Sequence, residues 1–338
     1  MRIALDAMGG DFAPSHPVLA ALQALDKFPQ ITRLVLTGDE ELLRRELAKH
    51  GAAPSERLHL FHTTQVIEMT DSAVDAVRRK KDSSLNRAID LLKEGAVDAV
   101  VSAGHTGALV ASSTIKLRTL PGVDRAGIGT LMPRKNGVFL LLDAGASVDA
   151  KPEHLLAYGI MGDAYCRAIL KIQNPKVGLL SNGTEEVKGN DLTKQAFPLL
   201  KQAPINFIGN VEGHGLFEGD VDVVVCDGFI GNIVLKTAES LAKATFRWLK
   251  EEIQANPVRL LGALLAKGAF QSIRKRTNAD EFGGALLLGV NGICIKAHGS
   301  SSVHALFNSL RVAAEAVDNQ VNPHIVKTLS ALKGTQQS

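Results

Sequence analysis

Ile3-Ala4-Leu5-Asp6-Ala7-Met8-Gly9-Gly10-Asp11 is an apolar run that opens into glycines flanked by carboxylates, and a helical pattern follows over about 13–27. The same grammar recurs down the chain. Ala99-Val100-Val101 enters Ser102-Ala103-Gly104-His105-Thr106-Gly107, and Val138-Phe139-Leu140-Leu141-Leu142 enters Asp143-Ala144-Gly145. Val177-Gly178-Leu179-Leu180 enters Ser181-Asn182-Gly183-Thr184-Glu185-Glu186, and Val221-Asp222-Val223-Val224-Val225 enters Cys226-Asp227-Gly228. Continuous apolar strands suit a parallel sheet covered on both faces. Glycine-polar loops at strand ends leave backbone N–H groups and helix N-termini facing anions. The pattern predicts an α/β chain whose strand-end loops gather, along the carboxyl-side rim of one central sheet, into a pocket for a phosphate-like group.

Composition narrows the classes. The 338 residues can fill one large α/β domain or two lobes; they read as a single catalytic domain over 1–334 with a polar tail at 335–338. A net charge of +3 and an aromatic share of 4% argue against a nucleic-acid surface. Cys166, Cys226 and Cys294 are isolated, which fits a reducing cytoplasm and neither a disulfide framework nor a structural zinc site. No secretory leader is expected, because the chain enters its first strand at once. No apolar run approaches the roughly 20 residues of a bilayer-spanning helix, so the expectation is a protein that is soluble or sits on a membrane surface.

Strands alternate with helical segments until about Asn232, including a helix over about 152–171 that has Pro152 at its first turn. From there to about Asp280 the pattern is helical only, broken at Asn256-Pro257, before a strand-like stretch over 285–290. That predicts a helical arm inserted over about 233–280 and projecting from the sheet. At its tip Leu261, Leu264, Leu265 and Ile273 recur at near-helical spacing among Arg259, Lys267, Arg274, Lys275 and Arg276. The stripe suits a core or dimer-interface helix with basic flanks, or a segment dipping into an anionic membrane surface.

The loops carry the candidate chemistry. Residues 6–11 match neither a dinucleotide fingerprint nor a Walker loop. Gly9 and Gly10 allow close backbone approach to a ligand, while Asp11 can cap the next helix and Asp6 can accept backbone N–H groups. Ser102, Gly104, His105, Thr106 and Gly107 open a helix and could cradle an oxyanion or phosphate, although His105 by itself reads more readily as a polar loop residue than as a catalyst. Residues 182–190 combine an amide, a hydroxyl, carboxylates and Lys188, a density that a connector does not need. Lysine binds phosphate as a point charge. Asn232, Lys236, Asn291 and the run Lys296-Ala297-His298-Gly299-Ser300-Ser301 add similar groups on later edges. Arg78-Arg79-Lys80-Lys81 reads as a solvated helix end or as a docking patch for an acidic protein.

Read in order, these loops resemble the PlsX-type phosphate acyltransferase family, which makes acyl phosphate from acyl-acyl carrier protein and inorganic phosphate. The match is carried by DAMGGD at 6–11, SAGHTGA at 102–108, DAGASVD at 143–149, EEVKG at 185–189, CDGFIGNIVLK at 226–236, and LLGVNG and AHGSS within 287–301. His105 and Ser147 stand where the family usually has Asn, and His214-Gly215 where Arg-Asp is common. The resemblance implies a Rossmann-like three-layer α/β/α fold, mostly parallel and doubly wound, similar to phosphotransacetylases and the isocitrate/isopropylmalate dehydrogenase class. It also implies a homodimer without cofactor or metal. Such an enzyme lies in the cytoplasm, peripheral to the membrane, and feeds a membrane-bound glycerol-3-phosphate acyltransferase in phospholipid synthesis. In that setting Leu260, Leu261, Leu264, Leu265 and Phe270 are expected to contact the membrane, and Arg78, Arg79, Lys80 and Lys81 to dock the carrier protein.

Phosphate attack on a thioester needs neither a metal nor an acyl-enzyme, since phosphate is already anionic and thiolate leaves readily. Positioning and preorganised donors are the main demands. Catalysis is expected from Lys188, Asn182, Thr184 and His298. Phosphate and oxyanion are expected to be held by Asp6, Gly9, Gly10, Asp11, Ser102, Gly104, His105, Thr106, Gly107, Asn232, Lys236, Asn291, Ser300 and Ser301. The rivals are a phosphotransacetylase acting on acyl-CoA and a non-catalytic membrane-surface scaffold for acyl carrier protein. A metal- and NAD-dependent dehydrogenase is disfavoured by the missing fingerprint.

Overall fold

Apolar runs become eleven strands in one sheet in the computed structural model, which describes residues 1–335. The first four are β1 Arg2–Asp6, β2 Arg33–Gly38, β3 Leu58–His62 and β4 Ala99–Ser102. β5 Gly127–Arg134, β6 Gly137–Leu142, β7 Lys176–Ser181 and β8 Asn206–Glu212 follow, and then β9 Val223–Val225, β10 Ala285–Leu288 and β11 Ile293–Lys296. Their order is β3-β2-β1-β4-β11-β10-β5-β6-β9-β7-β8. Ile3, Leu5, Val101, Leu140 and Leu142 pack under one helical layer, and Ala4, Val100, Leu141 and Val224 under the other. Burial on both faces is why these strands are apolar throughout rather than alternating.

The strands do not share one direction. β1 to β4 and β11 are mutually parallel, but β10 pairs antiparallel with both β11 and β5, and β5 pairs antiparallel with β6. β9, β7 and β8 then run parallel to β6. The second half of the sheet is therefore inverted relative to the first. Loops that follow β1, β4 and β11 emerge on one rim, and loops that follow β6, β7 and β9 emerge on the opposite rim. The single carboxyl-side rim expected from sequence is corrected accordingly. The inversion is made by the two-residue connection Lys135-Asn136, which turns β5 back into β6.

The arm comprises the helices Gly228–Gln254, Pro257–Leu265 and Lys267–Thr277, so it begins a few residues earlier than the sequence suggests. Asp227 fixes its start by accepting the N–H groups of Phe229 and Ile230, and Asn256 caps the second helix through Val258 N–H. Its base is wedged against the sheet. A Cβ on Gly231 would lie 1.9 Å from the Asp143 carbonyl oxygen, so only glycine allows that approach. The long helix thus starts at the second rim and crosses toward the first. The C-terminal helix Val321–Thr335 runs through the start of the expected polar tail, and 336–338 lie outside the described residues.

Candidate active site

Strand register sets three polar side chains in a row. Asp6 on β1 pairs with Ser102 on β4, and Ser102 pairs with Lys296 on β11, so all three close their strands at the same rim. Asp6 is buried, and its carboxylate accepts the Ser102 hydroxyl at 2.7 Å and Met8 N–H at 3.3 Å. Ser102 Oγ in turn accepts Gly104 N–H at 3.0 Å. Burial pushes the Asp6 carboxyl above the ordinary range, against hydrogen bonds from Ser84, Ser102 and Met8 and the charge of Lys296.

The glycines let these loops interlock. A Cβ on Gly9 would fall 2.6 Å from Asp6 Oδ2 and 2.7 Å from Gly104 N, so the first two loops touch backbone to backbone. Asp11 N–H donates to the Gly299 carbonyl at 2.8 Å, which ties in the loop after β11. Asp11 does not cap the first helix, which begins at Ser15 without a side-chain cap.

Lys296 is the electrostatic centre of this rim. Only 9% of the residue is exposed, and its ammonium donates to the Ala297 carbonyl. Burial brings its pKa down to about 8, with Asp6 and Asp11 opposing and Lys236 reinforcing the fall. Above it, His298 Nδ1 accepts Ser300 N–H at 3.2 Å and lies 2.9 Å from Ser300 Oγ. That contact assigns the neutral ring's proton to Nε2. Partial burial in the cleft lowers the His298 pKa, opposed by Glu239 and reinforced by Lys296, Lys236 and Lys243. Thr106 opens the helix Thr106–Leu117, and Ser302 caps Val303–Asp318 through Ala305 N–H, so two helix N-termini lie at this rim.

These groups form the polar end of a cleft of ≈ 850 Å³. Asp11, Thr106, Asn232, Lys236, His298, Ser300 and Ser301, all expected from sequence, line it together with Lys296. Its remaining limb is apolar, with Met132, Pro133, Phe217, Phe246, Leu249, Phe270 and Ile273. Asp6, Gly9, Gly10, Ser102, Gly104, His105 and Gly107 stand behind the polar end as framework. His105 caps its helix by accepting Ala108 N–H at Nδ1, 3.2 Å away.

Other expected residues lie elsewhere. The loop with Asn182, Thr184 and Lys188 follows β7 and so emerges on the inverted rim; Thr184 and Lys188 are exposed, and Asn182 Oδ1 accepts Gly189 N–H at 2.9 Å. None of the three lines the cleft. Asn291 is exposed in the turn before β11, at the opposite end of that strand from Lys296. Arg78, Arg79 and Lys81 are exposed, whereas Lys80 pairs with Asp71 at 2.6 Å and donates to the Val66 carbonyl. At the arm tip Leu260, Leu261, Leu264 and Leu265 are exposed, and Phe270 instead lines the cleft. Lys296 opens the candidate run 296–301 but was not among the residues expected to hold phosphate or to catalyse; a lone lysine closing the buried run Ile293-Cys294-Ile295 is the signal that marks it out.

Comparison with known proteins bears on this geometry. Residues 1–324 match the family model described as a fatty acid synthesis protein. A phosphate acyltransferase from Desulfitobacterium hafniense is 51% identical over 338 residues, covering 100% of each chain. One from Akkermansia muciniphila is 49% identical, over 98% of this chain and 97% of that one. A solved phosphotransacetylase from Streptococcus pyogenes, 18% identical, has a TM-score of 0.65 over 94% of each chain, a likeness of fold. Identity near one half along the whole length, on this fold, makes the chain a member of the fatty acid synthesis protein family alongside the phosphate acyltransferases, and hence an acyltransferase.

Proposed function

We propose that the enzyme transfers an acyl group from acyl-acyl carrier protein to inorganic phosphate, releasing acyl phosphate and the carrier thiol at the polar end of the cleft. One observation carries the reading: a polar head formed by the cations Lys296 and Lys236 with the His298 ring is continuous with an apolar limb in a single cleft. Phosphate needs the first and a fatty thioester the second. Lys296 and Lys236 hold phosphate, with the N-terminus of the Thr106 helix supplying further positive potential. A phosphate oxygen attacks the thioester carbonyl, and the resulting oxyanion takes a hydrogen bond from His298 Nε2–H. Collapse expels the thiolate, which leaves without prior protonation. Asp6 and Ser102 position Lys296 and the glycine loops rather than touching substrate.

The exposed cations Arg78, Arg79 and Lys81 offer a docking face to an acidic carrier protein. The exposed leucines of the tip support a homodimer that rests on the cytoplasmic membrane surface and passes acyl phosphate to a membrane-bound glycerol-3-phosphate acyltransferase. Among the described residues no helix is long and apolar enough to cross a membrane. The test is acyl phosphate formation by purified enzyme, trapped with hydroxylamine, using acyl-carrier protein and acyl-CoA in parallel. Phosphate-dependent product favouring the carrier protein is expected. Product from acyl-CoA alone transfers the reading to a phosphotransacetylase, and no product from either rejects it.

A further inference from the structure

The proposed function assigns the apolar limb to a fatty thioester without placing the chain along it. It is lined along one face of the helix Gly228–Gln254, where Asn232, Lys236, Glu239, Ala242, Phe246 and Leu249 recur every three or four residues. Glu239 is the last charged residue of this helix that lines the cleft. Beyond it the helix contributes Leu241, Ala242, Thr245, Phe246 and Leu249, and the returning helix Lys267–Thr277 closes the limb with Phe270 and Ile273.

The dimensions suit one kind of occupant. Lys236 and Leu249 are 13 residues apart on an uninterrupted helix, which spans about 20 Å. The hydrocarbon core of a bilayer is about 30 Å thick and two chains deep, so one membrane-lipid chain extends about 15 Å. A chain with its carbonyl beside Lys236 and His298 therefore runs past Ala242 and ends near Phe246 and Leu249. We propose that this limb is the acyl-chain site, and that Phe246, Leu249 and Phe270 form the far wall that sets accepted chain length. The proposal rests on the acyl-transfer reading above and adds the place and measure of the chain.

The experiment compares kcat/KM for carrier protein loaded with palmitoyl or octanoyl chains, using full-length enzyme. Leu249→Trp is expected to lower the palmitoyl-to-octanoyl ratio at least about tenfold, since each methylene kept from apolar contact forfeits about fourfold. Phe246→Ala is expected to raise the ratio. In the unaltered enzyme, a palmitoyl donor carrying a terminal diazirine is expected to photolabel peptides within 241–277. Ratios unchanged in both variants, with unfolding midpoints like the parent's, or label confined to peptides outside the arm, overturn the proposal. Failure of the parent enzyme to make acyl phosphate with either donor rejects the acyl-transfer reading instead, while the photolabel still reports where the chain binds.

Discussion

Lys296→Met separates what the buried ammonium does for phosphate from what it does to stability. Lys296 has a pKa near 8 in the fold against 10.5 when free, a gap worth about 3 kcal/mol at pH 7. The folded state holds that proton less tightly than the unfolded chain does. The wild type is therefore handicapped below about pH 8, and the handicap fades as pH rises from there toward 10.5. Methionine keeps the apolar stem and removes the charge, while Asp6 loses one weak stabilising influence among several hydrogen bonds. Stability at pH 7 should rise by up to about 3 kcal/mol, and the excess over wild type should shrink above pH 8. Activity should move the other way. A unit charge about 4 Å from phosphate is worth about 4 kcal/mol at an effective dielectric of 20, and losing one preorganised donor typically removes 10²–10³ in rate. Urea unfolding at pH 7 and 9 reads the first effect, and kcat/KM for phosphate reads the second. A variant within about twofold of wild type toward phosphate, or one destabilised at pH 7, would refute the assignment.

The same geometry sets further outcomes. Ser102→Ala leaves the buried Asp6 carboxylate and Gly104 N–H each short of a partner, and should cost about 1–3 kcal/mol in urea unfolding. An NMR titration should place His298 below the ordinary histidine value of 6.5, and bound phosphate should raise it. Lys188→Ala, an exposed change on the opposite rim, should alter kcat/KM for phosphate by no more than about twofold in steady-state assays. Leu261→Glu with Leu264→Glu should weaken co-sedimentation with anionic vesicles by at least about tenfold, since each leucine side chain contributes roughly 1.5–3 kcal/mol when buried.

Much of the fold was legible because burial on both faces leaves an unmistakable trace. The runs at 3–5, 99–101, 138–142 and 177–180 fall on strands, as do the last three residues of the run at 221–225, and Asn256-Pro257 marks a real break in the arm. Strand direction left almost no trace. An apolar run reads the same up or down, and the inversion rests on a connection of two residues, Lys135-Asn136, followed by Gly137 at φ +106°. The turn-prone pair Asn136-Gly137 was the available clue. Missing it moved the 182–190 loop to the wrong rim. The central place of Lys296 within the 296–301 run was hidden for a related reason: it comes from Ser102 and Asp6 on neighbouring strands, far away in sequence. Phe270 looked like its leucine neighbours in composition, but the turn between the two outer arm helices faces it into the cleft.

The most direct test is a crystal structure of the enzyme grown with inorganic phosphate. The anion should lie within about 4 Å of Lys296 Nζ, at the head of the cleft, with His298 beside it. Phosphate seated instead on Lys188 and Asn182 at the opposite rim, with the Lys296 end empty, would contradict that placement.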